Sequence, residues 1–242
     1  MKAKLPLPLK RVIRQRILDP IQRALDDMRL RGLVRKIRTN RAPDRELLEA
    51  LRHAWGNESF VADVSYLGEL ITRVEECTGP VLECGSGLTT IIAGIIAERR
   101  RVPLISLEQD HKWVAFVEQR LHQNGIYHVD LRYTPVREYR GYVWYDLEGL
   151  DLPKHFELML CDGPFVADSW APVNGEWRYG ALPALANKGI HVDEILFDDA
   201  DDPRAENVLQ RWKDEFGMAQ SLIHSRDGDC AFLTSHDRPT PS

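Results

Sequence analysis

The segment Val81-Leu82-Glu83-Cys84-Gly85-Ser86-Gly87 restricts the fold of this chain more than any other. A short apolar strand runs directly into a Gly-x-Gly turn, and a helical pattern follows around Thr89–Arg99. Glycine at such a turn permits tight geometry and lets a ligand approach the backbone. The start of the following helix offers backbone N–H groups that no helical carbonyl uses. The alternation then repeats. Strands are expected over 104–107, 128–133, 156–161 and 194–197, and helices over 110–123, 177–187 and 203–216, the last with Asp202 as N-cap and Pro203 in its first position. Residues 219–224 and 230–234 flank Arg226-Asp227-Gly228-Asp229 as an antiparallel hairpin. Residues 134–154 show no strong periodicity. The expected fold is α/β: a Rossmann-like, doubly wound, mostly parallel sheet with a C-terminal antiparallel hairpin and an N-terminal helical extension.

Charge divides the chain. Residues 1–45 hold 14 of the 32 Lys and Arg but 4 of the 37 Asp and Glu, so the rest of the chain is strongly acidic. Ile13, Ile17, Ile21 and Leu25 stand at four-residue steps, and Leu30, Leu33, Val34 and Ile37 continue an apolar helical face. Pro20 is expected to open a second helix. Residues 1–43 therefore read as a basic amphipathic helical extension and 44–242 as the main domain. Asp44 is the expected N-cap of a helix over Arg45–Trp55, and a further helix covers Ala62–Cys77. No run of about 18 apolar residues indicates a membrane span. Cys77, Cys84, Cys161 and Cys230 are dispersed and read as small core residues in a reducing compartment.

The ligand of the glycine turn can be narrowed by charge. A dinucleotide fingerprint wants Gly or Ala three residues after its second Gly, where this chain has Thr90. Glu83 brings negative charge to the end of the strand, which disfavours a diphosphate. The same charge suits a ligand bearing an ammonium and a sulfonium, such as S-adenosylmethionine. Glu108 ends the second strand about 20 residues past the glycines, where a carboxylate can accept both hydroxyls of a ribose.

With these residues in view, the chain resembles the class I S-adenosylmethionine-dependent methyltransferase family, in particular its bacterial O-methyltransferase-like members. Glu83-Cys84-Gly85-Ser86-Gly87-Leu88-Thr89-Thr90 is similar to the first motif and Ser106-Leu107-Glu108-Gln109-Asp110 to the second, and the likeness spans roughly residues 60–235. The resemblance implies a seven-stranded sheet with a reversed final strand. It implies Gly85, Ser86 and Gly87 around the methionine part of the cofactor, Glu108 at the ribose, and residues near Thr134 beside the adenine, with Glu83, Thr89 and Gln109 as further expected cofactor-binding residues. Asp162, in Leu160-Cys161-Asp162-Gly163-Pro164, and the pair Asp198-Asp199 resemble the fourth- and fifth-strand ends. In metal-dependent members these ends hold magnesium, so Asp162, Asp198 and Asp199 are the expected ligands of Mg2+ or another divalent cation. The second residue of the pair is Asp where those enzymes carry Asn, and no Lys follows Asp162 closely.

Methyl transfer to a hydroxyl needs alignment, exclusion of water and removal of a proton. Asp162 is the first candidate for the base, ahead of Asp198 and Asp199, while His111 and His191 read as structural. Trp144, Tyr145, Trp170, Trp177 and Tyr179 either wall an acceptor pocket or pack loops onto the sheet. Arg178 is expected to pair with a surface acid rather than hold an anionic acceptor. The expected activity is O-methylation of a small molecule or glycan hydroxyl. The alternatives are an aminopropyltransferase-like enzyme, which should carry an N-terminal β-domain, and a non-catalytic binding module. The basic helices have three readings: contact with a peripheral membrane surface or a protein, a lid over the acceptor site, or nucleic-acid binding, which the acidic main domain disfavours. The expected location is cytoplasmic, or peripheral to a membrane, with a homo-oligomer open.

Overall fold

The computed structural model of the chain describes residues 19–56, 60–165 and 178–235. Among the described residues, three helices precede the sheet: α1 (Asp19–Thr39), α2 (Arg45–Trp55) and α3 (Val64–Glu76). Asp44 caps α2 by accepting the Leu47 N–H at 2.9 Å, and Gly56 closes it in the left-handed conformation, as the sequence pattern predicts. The alternating part follows as β1 (Val81–Cys84), α4 (Leu88–Arg100), β2 (Leu104–Glu108), α5 (His111–Gln123) and β3 (Val129–Tyr133). After β3 come β4 (Val136–Tyr139), β5 (Tyr142–Tyr145), β6 (His155–Cys161), α6 (Ala181–Asn187), β7 (His191–Phe197), α7 (Ala205–Phe216), β8 (Met218–Ile223) and β9 (Cys230–Ser235).

Seven strands form one sheet in the order β3-β2-β1-β6-β7-β9-β8. The first five are parallel, and β9 runs antiparallel between β7 and β8. The predicted doubly wound sheet with a terminal hairpin is therefore present. Chain order reverses at β1, which lies between β2 and β6. Open α/β sheets bind ligands in the crevice at the carboxyl ends of strands flanking such a reversal.

Both faces of the sheet are covered, so its central strands are buried throughout and read as continuous apolar runs. Val81, Leu104 and Leu158 enter the layer beneath α1 to α5. Leu82, Cys84 and Met159 enter the opposite layer with α6 and α7. All four cysteines are buried free thiols, in keeping with their reading as small core residues.

Three expectations are corrected. Residues 134–154 contain the two-stranded β4–β5 sheet. Its β5 is buried at every position, so no alternation marks it. The legible signal was the Arg140-Gly141 link between Tyr139 and Tyr142, with Gly141 at φ +94°. Helix α7 begins at Ala205 rather than Pro203, because Asp202 turns the chain back by accepting the Arg204 N–H at 2.8 Å. Helix α6 begins at Ala181, after a turn at residues 178–180.

The described part of the basic extension is built into the core. Leu30, Val34 and Ile37 are buried against the α2–α4 layer. At about 1.5–3 kcal/mol per fully buried aliphatic side chain, these three fasten α1 by several kcal/mol. Arg38 bonds Glu98 at 2.9 Å and the Asn124 carbonyl at 3.0 Å, at the carboxyl ends of α4 and α5. That is the end of α4 away from the glycine turn, about 20 Å along a helix of this length. The carboxyl end of α1 accordingly lies away from the turn. Residues 1–18, with Ile13 and Ile17, lie outside the described residues, as do the side chain of Ile21 and Trp170 and Trp177 of the proposed aromatic wall. Among the described residues, no helix is long and apolar enough to cross a membrane.

Candidate active site

The carboxyl ends of β1, β2 and β6 are stitched together by backbone hydrogen bonds. The Cys84 carbonyl accepts from Asp162 N at 3.0 Å and Gly163 N at 2.6 Å, and Gly85 N donates to the Leu107 carbonyl at 3.0 Å. Gly85 has φ +95°, and its α-carbon faces Gly163 so closely that a Cβ would stand 2.6 Å from Gly163 N. Gly87 looks onto open space, where an added Cβ would meet no atom within 4 Å. One glycine thus closes the turn against β6, and the other leaves a bare backbone for a ligand to approach.

Glu83 lies beneath this turn. It is 1% exposed, and its Oε2 accepts from the Thr90 hydroxyl at 2.7 Å and the Ser106 hydroxyl at 2.5 Å. Thr90 Oγ1 in turn accepts the Gly87 N–H at 2.8 Å, so the carboxylate supports the second glycine through one side chain. This gives Thr90 a purpose that the sequence did not reveal: it braces the start of α4. Glu83 Oε1 is buried without a hydrogen-bond partner among the described residues. Burial pushes the Glu83 carboxyl up to about 7, with the Ser106 and Thr90 hydroxyls opposing the rise.

That shift has a defined consequence for stability. A carboxyl raised above its unfolded value contributes fully below pH 4.5, and the contribution is lost as pH rises through about 7. We expect ligand-free protein to lose about 3 kcal/mol across this window relative to Glu83→Gln. Urea unfolding of both proteins at a series of pH values measures it, and parallel pH profiles would contradict it.

Glu108 closes the second side of the crevice. It is 3% exposed, and its Oε2 accepts Ser86 N at 3.0 Å and the Ser86 hydroxyl at 2.9 Å. Its Oε1 accepts Asp110 N at 2.9 Å. Burial raises its carboxyl, and the Asp110 and Ser86 donors pull it back. Trp113 donates to the Ser86 carbonyl at 2.7 Å, so Ser86 is held from both directions. Gln109 accepts from the Tyr145 hydroxyl at 3.2 Å. Thr134 is buried at the end of β3 and donates its N–H to the Glu108 carbonyl at 2.7 Å. Thr89, also buried, stands in the first turn of α4. The residues expected around one cofactor thus converge on one end of three adjacent strands.

Asp162, Asp198 and Asp199 also come together, with carboxylate oxygens within 4.8 Å of one another. Asp162 is half-buried, Asp198 is buried, and Asp199 is exposed in a left-handed conformation at φ 52°. The sequence reading missed what lies among them. Arg178 is 1% exposed, and its Nη2 donates to Asp162 Oδ1 at 3.1 Å and Asp199 Oδ2 at 2.8 Å. Its Nη1 donates to the Asp198 carbonyl, and the guanidinium stacks 5.1 Å from the Phe197 ring centre. Arg178 does pair with acids, but in a buried position rather than at the surface. Burial raises Asp162 to about 6 while Arg178 pulls it back. Burial first, then the Asp162 carboxylate, pushes Asp198 well above the usual range.

The donor set by itself suits a hard cation, whose ligands are oxygens at 2.0–2.6 Å. With the guanidinium in place, Asp162 Oδ1 and Asp199 Oδ2 are already bonded to Arg178 Nη2, so a cation would have to crowd or displace that side chain. Two unit charges of the same sign 4 Å apart repel by about 4 kcal/mol at an effective dielectric of 20, and a dication doubles this. A divalent ion touching Asp162 and Asp199 would stand about that close to Arg178.

The remaining predicted residues are structural. Trp144, Tyr145 and Tyr179 are buried in the second core layer, which favours the packing role over an open wall. His111 opens α5 and packs edge-on to Tyr133, while His191 opens β7 near Asp193.

No protein-family model and no curated protein sequence matches this chain. Solved structures do. Cofactor-bound Rv0187 from MTB superposes with a TM-score of 0.56 at 13% identity, over 98% of this chain and 100% of that one. The SAH-bound methyltransferase PaMTH1 of Podospora anserina gives 0.54 at 15% identity, over 81% and 89%. The N-terminal domain of human METTL16 in complex with SAH gives 0.52 at 11% identity, over 79% and 82%. At such identities the likeness is one of fold, and the fold is the Rossmann-like class I methyltransferase fold.

Proposed function

We propose that this chain, with its class I methyltransferase fold, is an S-adenosylmethionine-dependent methyltransferase acting on a hydroxyl of a small molecule or glycan. The observation that carries the reading is the crevice at β1 and β2. There Gly87 leaves the backbone open, Glu83 braces the turn, and Glu108 sits on Ser86 at the neighbouring strand end. Each of these could serve a different part of S-adenosylmethionine. The bare backbone at Gly87 suits close approach of its methionine part, the buried Glu83 its ammonium, and Glu108 the two ribose hydroxyls, with Gln109 and Thr134 nearby.

When bound, S-adenosylmethionine supplies a methyl group activated by the sulfonium. The chain then has to orient an acceptor oxygen, exclude water and receive the hydroxyl proton. Asp162 suits the last task. It is next to the glycine turn, partly exposed, and raised to about 6, so it is largely ionised at neutral pH yet more basic than an ordinary aspartate. The aminopropyltransferase alternative has less support, since the described residues before β1 are helical and form no β-domain.

Calorimetric titration with S-adenosylmethionine and S-adenosylhomocysteine tests the reading. We expect micromolar binding of both, and no heat at millimolar ligand would sink it.

A further inference from the structure

We propose that the Arg178 guanidinium is the resident cation of the acidic crevice, and that this protein works without the divalent metal that similar strand ends hold in metal-dependent O-methyltransferases. The inference refines the methyltransferase reading by saying how the acceptor side of the crevice is built.

The placement of Arg178 carries the argument. It is almost wholly buried, and one nitrogen bridges carboxylates at the ends of two different strands, Asp162 after β6 and Asp199 after β7. Its other terminal nitrogen bonds the Asp198 carbonyl. A guanidinium holding three oxygens from two strand ends does what a metal ion does structurally: it neutralises converging carboxylates and fixes their spacing. The Phe197 ring on one side of the guanidinium adds a face that a hydrated ion would not use. The third carboxylate is turned to its own chain, where Asp198 Oδ1 accepts the Asp199 N–H at 3.0 Å. The three carboxylates are thus already engaged. Arg178 acts as a positioning residue: it holds the Asp162 carboxylate toward the crevice without itself meeting the acceptor. One consequence concerns substrate class. An acceptor here needs a single hydroxyl, with no second oxygen to complete an ion's coordination shell.

The test is an electron paramagnetic resonance titration of the full chain with Mn2+. Wild type should show no stoichiometric site at millimolar Mn2+, and its melting temperature should not respond to Mg2+. Stoichiometric Mn2+ binding that Asp199→Asn abolishes would overturn the proposal. Arg178→Ala leaves the Asp162 and Asp199 carboxylates uncompensated beside Asp198, so this variant should acquire Mn2+ binding and be stabilised by Mg2+. Arg178→Lys, which keeps the charge, should bind no Mn2+. A folded Arg178→Ala protein indifferent to both ions would count against the guanidinium holding a cation's place. If that variant does not fold, the wild-type titration still decides. Calorimetry with S-adenosylmethionine in the presence of a chelator separates the two readings. Loss of binding caused by the chelator overturns the metal-free proposal, whereas absence of binding under all conditions speaks only against the methyltransferase function.

Discussion

Glu108→Ala should weaken S-adenosylmethionine binding on the order of 100-fold or more. A buried carboxylate that accepts two ribose hydroxyls contributes two charge-assisted hydrogen bonds of about 1.5–3 kcal/mol each. Every 1.4 kcal/mol is about tenfold in affinity. The substitution also removes the acceptor for Ser86 N, the Ser86 hydroxyl and Asp110 N, so the turn loosens as contacts to the ligand are lost. Glu108→Gln separates the two effects. It retains one oxygen for Ser86 but cannot accept at both positions, so its affinity should fall between wild type and alanine. Calorimetric titration of the three proteins, with thermal melts to establish folding, provides the comparison. An alanine variant with unchanged affinity would refute the assignment of Glu108 to the ribose.

Gly85→Ala should cost about 2–6 kcal/mol of stability and abolish ligand binding. Two independent penalties add. The residue has φ +95°, a conformation that costs side-chain-bearing residues about 1–3 kcal/mol. The new methyl group would stand 2.6 Å from Gly163 N and 2.9 Å from Gly163 Cα, both backbone atoms of the β6 end. Neither can step aside without breaking the hydrogen bonds from Asp162 N and Gly163 N to the Cys84 carbonyl, and overpacking of this kind adds about 1–3 kcal/mol. Gly87→Ala is the matched comparison. Its Cβ enters open space, so it should be far milder for stability while still obstructing the ligand's approach. Denaturant unfolding and calorimetry of the pair test this, and equal stability losses would contradict the steric argument.

Local chemistry explains why so much of the frame was legible. Asp44 and Asp110 cap their helices through side chains that reach N–H groups two or three residues away. Parallel strands buried on both faces must be apolar at nearly every position, which made β1, β2, β6 and β7 readable. The β4–β5 pair was hidden by the same physics. Burial of Tyr142 through Tyr145 erased the alternation by which an isolated hairpin is recognised.

The sequence by itself determined the sheet class, the glycine turn and the two acidic residues beside it, because each depends on residues close in the chain or at a fixed spacing. It also placed Asp162, Asp198 and Asp199 at neighbouring strand ends. Only the tertiary structure decided what those carboxylates face. Arg178 lies 16 residues from Asp162 and 21 from Asp199, and no periodicity or motif links them. A buried charge takes its partners from whatever the fold brings within about 3 Å of it. The same holds for Thr90. Its place in the motif argued against a pyrophosphate, but its bonds to Gly87 and Glu83 exist because the glycine turn folds the start of α4 back over the end of β1.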